Sequence, residues 1–516
     1  MRTGTALLLI AGALHAGPVS AQTQKTQSSP LSVIDWLGQN TAVDLPNTVL
    51  LEPPVAPSGA GPSIEVTPLA ALAPPLGLVS SQATGLPVDL WLTSDAETLA
   101  ELIAQVPVRD SPAMQTLLYS LLLSETRPPS QKAAAESLLA ARIDRLIALG
   151  ATDPAQALVQ LAGPTNSRDR FSRWFDATLL TGDEDKACAV LAEQPHLARG
   201  YADLVFCNAR RGDWQTAALL LETAHALELL PPATLDLLDR FLSPDIYEGA
   251  PMLPPPSRPD PLTFRLYETI GERLPTASLP RAFATADLRD VAGWKAQIEA
   301  AERLTRIGAL GPNRLLGLYT ERLPAASGGV WDRVEAVQRF DTALASRSGT
   351  AIAKTLQPAW DAMRAAGLEV AFAELFFEQL SRQRIPDATA AQLAWEIRLL
   401  SRDYEAASRR PPQNTPRIAF LAALAQGNPG RALPPGELAE AISDGFAQGA
   451  VVPPNLQDLI SSGRLGEAIL ETMLLFDKGA RGNPANLSAA LATFRSIGLE
   501  DTARRAALQL MILGQE

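Results

Sequence analysis

The sequence predicts an all-α fold, an α-solenoid of helical hairpins behind a proline-rich N-terminal segment. Three observations carry this. Ala and Leu abound while aromatic residues make up 5% of the chain, and that composition favours helix over sheet, because a pleated surface is best filled by β-branched and aromatic side chains. From about residue 94 onward, apolar residues recur at helical spacing in segments broken by Gly and Pro. A Gly followed five residues later by Ala recurs at intervals typical of helix-pair arrays.

The chain has 516 residues. Its first 21 read as a secretory leader: a basic start at Arg2, an apolar run from Ala6 to Leu14, and small residues at Val19 and Ala21, which predict cleavage after Ala21. That run is too short to span a bilayer, which takes about 20 residues, and no Cys follows the cut to carry a lipid. The expected location is a bacterial periplasm, with no membrane insertion. The mature chain would hold 43 basic against 56 acidic residues. Nucleic acid and anionic lipid are held by clustered Lys and Arg, so neither is expected as a partner.

Residues 22–90 carry ten prolines among Ser, Gly, Thr and Ala. Proline lacks a backbone donor and stops helices, so this stretch should be largely extended or disordered. Two apolar islands interrupt it. In "SPLSVIDWLGQN" (29–40), Leu31, Ile34 and Leu37 form one helical stripe with Trp36 beside it. This is a possible docking segment for a partner, for the protein's own groove, or for nothing at all. The second island, 85–106, leads into the first helix, capped near Ser94 or Asp95, and the segment around Trp91 should cover the end of the first helical pair. A first helical region is expected at 91–243, a linker at 244–262, where seven prolines crowd from Pro244 to Pro261, and a second helical region at 263–516.

The Gly–Ala pairs are Gly150/Ala155, Gly182/Ala187 and Gly212/Ala217 in the first region, and Gly427/Ala432, Gly463/Ala468 and Gly498/Ala503 in the second. Spacings between successive glycines are 32 and 30, then 36 and 35 residues. Glycine ends a helix in the left-handed conformation without a Cβ penalty. Asp213 or Asp183 can cap the next helix, and the Ala one turn in allows the returning helix to pack closely. In "GDWQTAALLLETAHALELL", Trp214, Ala217, Ala218, Leu221, Ala224 and His225 share one face at helical spacing and should pack together. Arg211-Gly212-Asp213, which matches an adhesion tripeptide, is on this reading a helix-ending Gly followed by a capping Asp.

Gly212, Asp213, Trp214 and Ala217, with Leu221 and Ala224 on the following turns and Tyr201 and Leu204 upstream, resemble the tetratricopeptide-like repeat family. Val205 stands where that family usually has Gly, and "LSRDYEAAS" (400–408) repeats the pattern with Arg402 in the Gly position. The resemblance covers about six degenerate units. It implies a fold that binds other chains and implies no chemistry.

No His-Glu-x-x-His, Gly-x-Ser-x-Gly or phosphate-binding Gly-rich loop is present. Beyond the leader there are two histidines, His196 in an expected inter-helix loop and His225 on the packed face. No metal, cofactor or catalytic residue is assigned. Glu136-Ser137 echoes the Glu-Ser of lytic transglycosylases, but it lacks their downstream Gly-Leu-Met-Gln segment and reads as a surface position on an Ala/Leu helix. Cys188 and Cys207 are the only cysteines. They flank "EQPHLARG", read as the turn of a helical hairpin, and antiparallel helices would bring them face to face. In an oxidising compartment they read as a disulfide, the alternative being two buried thiols. The function expected from all this is an exported scaffold of the cell envelope that binds a protein or peptide and catalyses nothing. A peptidoglycan-acting enzyme or accessory factor is the second reading.

Overall fold

The computed structural model describes residues 73–129, 132–324 and 326–514. The leader (1–21) and the island bearing Leu31, Ile34, Trp36 and Leu37 lie outside the described residues. Within them the protein is all-α: 25 α-helices and six short 3-10 turns follow one another, with two isolated bridges and no strand. Sequence neighbours pack as antiparallel pairs, among them Tyr201–Arg210 with Trp214–Ala226, Val330–Ala345 with Gly349–Arg364, and Leu465–Ala480 with Pro484–Ser496.

The local chemistry of the turns explains the pairing. The six repeat-turn glycines, at 150, 182, 212, 427, 463 and 498, all have φ between +77° and +90°. At Gly182 the left-handed backbone lets its N–H reach Thr178 O at 2.8 Å and that of Asp183 reach the same carbonyl at 2.9 Å, which closes the helix Arg168–Thr181. The alanines five residues on are the contact points. Ala155, Ala187, Ala217, Ala468 and Ala503 are each fully buried. Ala432 is the exception: a 3-10 turn, Pro429–Arg431, intervenes, and Ala432 lies in extended backbone instead of opening a helix. Asp95 caps the first long helix, Ala96–Gln105, by accepting from Thr98 N at 2.8 Å, and Asp213 caps Trp214–Ala226 by accepting from Thr216 N at 3.1 Å. Asp183 makes no side-chain cap bond.

Residues 73–90, expected to continue the proline-rich segment, are instead built into the body. Leu76 and Thr126 exchange backbone hydrogen bonds of 3.0 and 3.3 Å, and Glu125 N donates to Val79 O at 2.8 Å. The strip lies so close that a Cβ on Gly77 would fall 2.2 Å from Ser124 O. Arg142 fastens it from beneath. This side chain is buried, and its guanidinium donates to Leu122 O, Leu76 O and Ser124 O at 2.8, 3.1 and 3.0 Å.

The ends of the array meet. Helix Ala96–Gln105 packs on Leu465–Ala480, and Pro112–Leu123 packs on Glu500–Leu513. Trp91 is fully buried, not over the end of the first helical pair alone but against Gly466, whose N–H donates to Leu90 O at 3.2 Å. Thr93 Oγ1 donates to Gly463 O at 2.8 Å, and Ala113 N donates to the Gln509 side chain at 2.8 Å. The apolar flanks that the first and last units of an open array would expose are thus covered by each other. The larger apolar cluster draws on residues 86–286, on Ile307 and again on 395–511; it runs through the proline-rich stretch at 244–262, with Leu253 packed on it and Tyr267 bonded to Pro254 O at 2.8 Å. A second cluster gathers residues 284–400, and Ala309 and Ile512 pack against both.

Candidate functional site

Residues 184–252 combine the disulfide, the best-matched repeat turn and an unusual surface. Helix Glu184–Glu193, the 3-10 turn Pro195–Leu197 and helix Tyr201–Arg210 form the expected hairpin. Cys188 and Cys207 are buried on its inner faces and joined by a disulfide, with Cα atoms 4.8 Å apart. Cross-linking a loop of this length stabilises by about 3 kcal/mol, chiefly by restricting the unfolded chain. The double variant Cys188→Ala/Cys207→Ala should lose about that much, with an added cost for the two small buried cavities. Denaturant midpoints of the oxidised protein, the reduced protein and the double variant check this. Equal midpoints for all three would show that the bridge contributes nothing.

The next turn places the Arg211-Gly212-Asp213 tripeptide on the surface, where the Asp213 carboxylate is occupied as a cap. The Thr216 hydroxyl and amide hold it below the usual carboxylate range. In the helix that follows, Ala217, Leu221 and Ala224 are buried, but Trp214, Ala218 and His225, expected on the same face, are exposed. The buried stripe is therefore one residue wide, because a single helix, Tyr201–Arg210, covers most of it and the next, Pro232–Leu242, reaches it only from one side. The Trp214 ring leans on Phe241 at 6.5 Å, which in turn stacks on Phe206 at 5.7 Å, yet Trp214 remains 53% exposed.

Among the described residues, seven of the fourteen large exposed apolar side chains fall between positions 214 and 252. They include Leu219 at 65%, Leu227 at 62%, Ile246 at 78% and Met252 at 75% exposed. Scattered single exposed leucines are ordinary, whereas a concentration of them marks a surface that another molecule covers. The sequence carried a signal for this that the helical-face argument passed over. Leu219, Leu220 and Leu221 are consecutive, and three successive residues of a helix cannot all face one core.

Of the other residues singled out in the sequence, His225 lies within this surface, and His196 and Glu136 lie outside it. His225 Nε2 is 3.1 Å from the Asp239 carboxylate at the hairpin's edge, and His196 is exposed in its 3-10 turn. Glu136 is ion-paired with Arg170, which reaches its carboxylate with two guanidinium nitrogens, while Ser137 is exposed. Among the described residues there is no group of three His, Cys, Asp or Glu arranged to hold a metal ion. No described helix is long and apolar enough to cross a membrane.

No family model matches this chain, and neither the curated proteins nor the solved structures provide a match.

Proposed function

We propose that this protein is an exported interaction scaffold of the tetratricopeptide-like kind, held in a bacterial periplasm and docking a protein or peptide chain without catalysing a reaction. The observation that carries the proposal is the concentration of exposed apolar side chains at 214–252, directly after the disulfide-stapled hairpin 184–210. Rigid helical hairpins bring such residues to a partner with little ordering cost. A buried disulfide suits a protein that works in an oxidising compartment. The leader-like first 21 residues agree with export, and the Gly-Asp-Trp-x-x-Ala turn agrees with the repeat family.

The test is crosslinked capture from a periplasmic extract with the full-length protein and a Leu219→Ser/Leu227→Ser variant. Both substituted side chains are exposed, so folding should be unchanged. A partner retained by the wild-type protein and reduced at least about tenfold by the variant is the expected result, since interface anchors contribute about 1–2 kcal/mol each. Recovery of no specific partner, together with a measurable hydrolytic activity on sacculi, would overturn the proposal.

A further inference from the structure

A cleft of about 600 Å³ opens between helix Pro112–Leu123 and the turns at 305–312 and 366–371. Its volume is in the range of small-molecule sites. Much of its wall is apolar, with Val79, Leu310 and Leu368 among the lining residues. Two hydroxyls in this wall lack a partner. Thr305 is 7% exposed and its Oγ1 makes no hydrogen bond, and the Tyr119 Oη is buried and equally unbonded. A buried hydroxyl with no partner costs about 1–3 kcal/mol, so such groups in a cleft wall point to something that fills it.

Two arginines act on the Tyr119 hydroxyl, and three more stand within electrostatic reach of them. Arg145 and Arg281 act on Tyr119, Arg281 faces Arg109 and Arg306, and Arg303 faces Arg281 and Arg306. Arg306 itself lines the cleft. Among the described residues none of the five has a carboxylate within 4.0 Å. Four of the guanidinium groups end on neutral carbonyl oxygens instead: Arg145 on Ala104 and Val106, Arg281 on Ala148, Arg303 on Thr276 and Leu279, and Arg306 on Ala366. Elsewhere half-buried arginines are neutralised directly. Arg265 is 2.9 Å from Glu184, Arg273 is 2.6 Å from Asp287, and Arg333 is 2.7 Å from Glu302. Burial first, then mutual repulsion, holds Arg281 and Arg303 below the usual guanidinium range. Two acids stand on the cleft's other wall. Glu374 is engaged by the Arg402 amide and side chain at 2.9 Å each, and burial pushes Glu369 upward, towards its neutral form.

A chain with a net charge of −12 has thus gathered five arginines without a carboxylate in ion-pair contact, Glu369 and Asp287 reaching Arg306 and Arg303 only at longer range, beside two hydroxyls with no partner. We propose that the cleft binds a small ligand carrying an oxyanion, a carboxylate or a phosphate, on a short apolar body. The oxyanion accepts from Tyr119, Thr305 and Arg306, with Arg281 and Arg145 supplying field behind the tyrosine, and the body lies along Val79, Leu310 and Leu368. This goes beyond the scaffold reading and does not depend on it.

Calorimetric titration of the full-length protein with octanoate, octyl phosphate and octanol tests the proposal. Saturable binding of at least one anionic probe is expected, and whichever head group binds more tightly identifies the source. Octanol should bind at least about tenfold more weakly, as loss of a charge-assisted hydrogen bond predicts. Arg306→Gln and the near-isosteric Tyr119→Phe should each weaken the anionic probe by about tenfold while leaving the thermal midpoint within a few degrees. Arg314→Gln, outside the cluster, should change nothing. Absence of saturation by either anion at millimolar concentration, octanol binding as tightly as the anions, or binding indifferent to both cleft substitutions would overturn it.

Discussion

Gly466→Ala should destabilise the protein by about 2–4 kcal/mol, although helix propensity alone predicts the opposite sign. Gly466 lies in the first turn of helix Leu465–Ala480, where replacing Gly by Ala is expected to stabilise by up to about 1 kcal/mol. Here a Cβ would sit 2.4 Å from Trp91 Cε3 and Cζ3 and 2.9 Å from Leu90 O. Real Cβ contacts do not occur at such distances, so the indole must leave. Trp91 is 0% exposed, and losing the packing of a large buried aromatic costs about 3–5 kcal/mol. The steric cost therefore exceeds the propensity gain. The denaturant midpoint measures the sum, and a double-mutant cycle with Trp91→Leu isolates the contact: the smaller side chain should recover part of the loss caused by Gly466→Ala. A Gly466→Ala protein as stable as wild type would mean that the first and last helices do not pack as described.

The contrast between Gly466 and Gly212 shows which parts of this fold the sequence could reveal. Gly212, Asp213 and Ala217 act within one turn of chain, and each does so through a property of its own residue type: a left-handed φ, a capping carboxylate, a small buried contact. Periodicity exposes such local devices. Gly466 is small because of Trp91, 375 positions away, and no spacing within either segment records that. The same holds for the incorporation of residues 73–90, which are proline-rich like the stretch before them and differ only in having Arg142 and Ser124 to receive them. Trp214 was misplaced for a related reason. Helical spacing shows which residues share a face, but it does not show how wide a strip the neighbouring helix covers. The apolar surface at 214–252 and the arginine cluster around Tyr119 are both assembled by tertiary placement. The arginines come from four separate segments of the chain, Arg303 and Arg306 sharing one, and in each they look like ordinary surface cations.

Arg142→Met should cost about 3 kcal/mol and should act first on residues 73–79 rather than on the helices. The arginine is buried, and burial lowers its pKa only to about 10, so it carries its charge at neutral pH. That charge is spread over three carbonyl oxygens, of Leu76, Leu122 and Ser124. Leu76 O also accepts from Thr126 N, and Ser124 O from Thr126 Oγ1, so each keeps one partner when the guanidinium is removed. Leu122 O, near the end of helix Pro112–Leu123, depends on Arg142 Nε at 2.8 Å. One strongly unsatisfied carbonyl and two weakened ones account for the expected loss. Lysine cannot replace the arginine, because a single ammonium does not span the planar fork that reaches all three acceptors. Arg142→Lys should therefore be nearly as damaging as Arg142→Met. Since the strip is attached by backbone bonds to 123–126 and by this one side chain, its amides should lose protection from hydrogen exchange in both variants while those of helix Leu465–Ala480 keep theirs. Retained protection at Leu76, Leu78 and Val79 in Arg142→Met would show that the backbone bonds alone hold the strip in place.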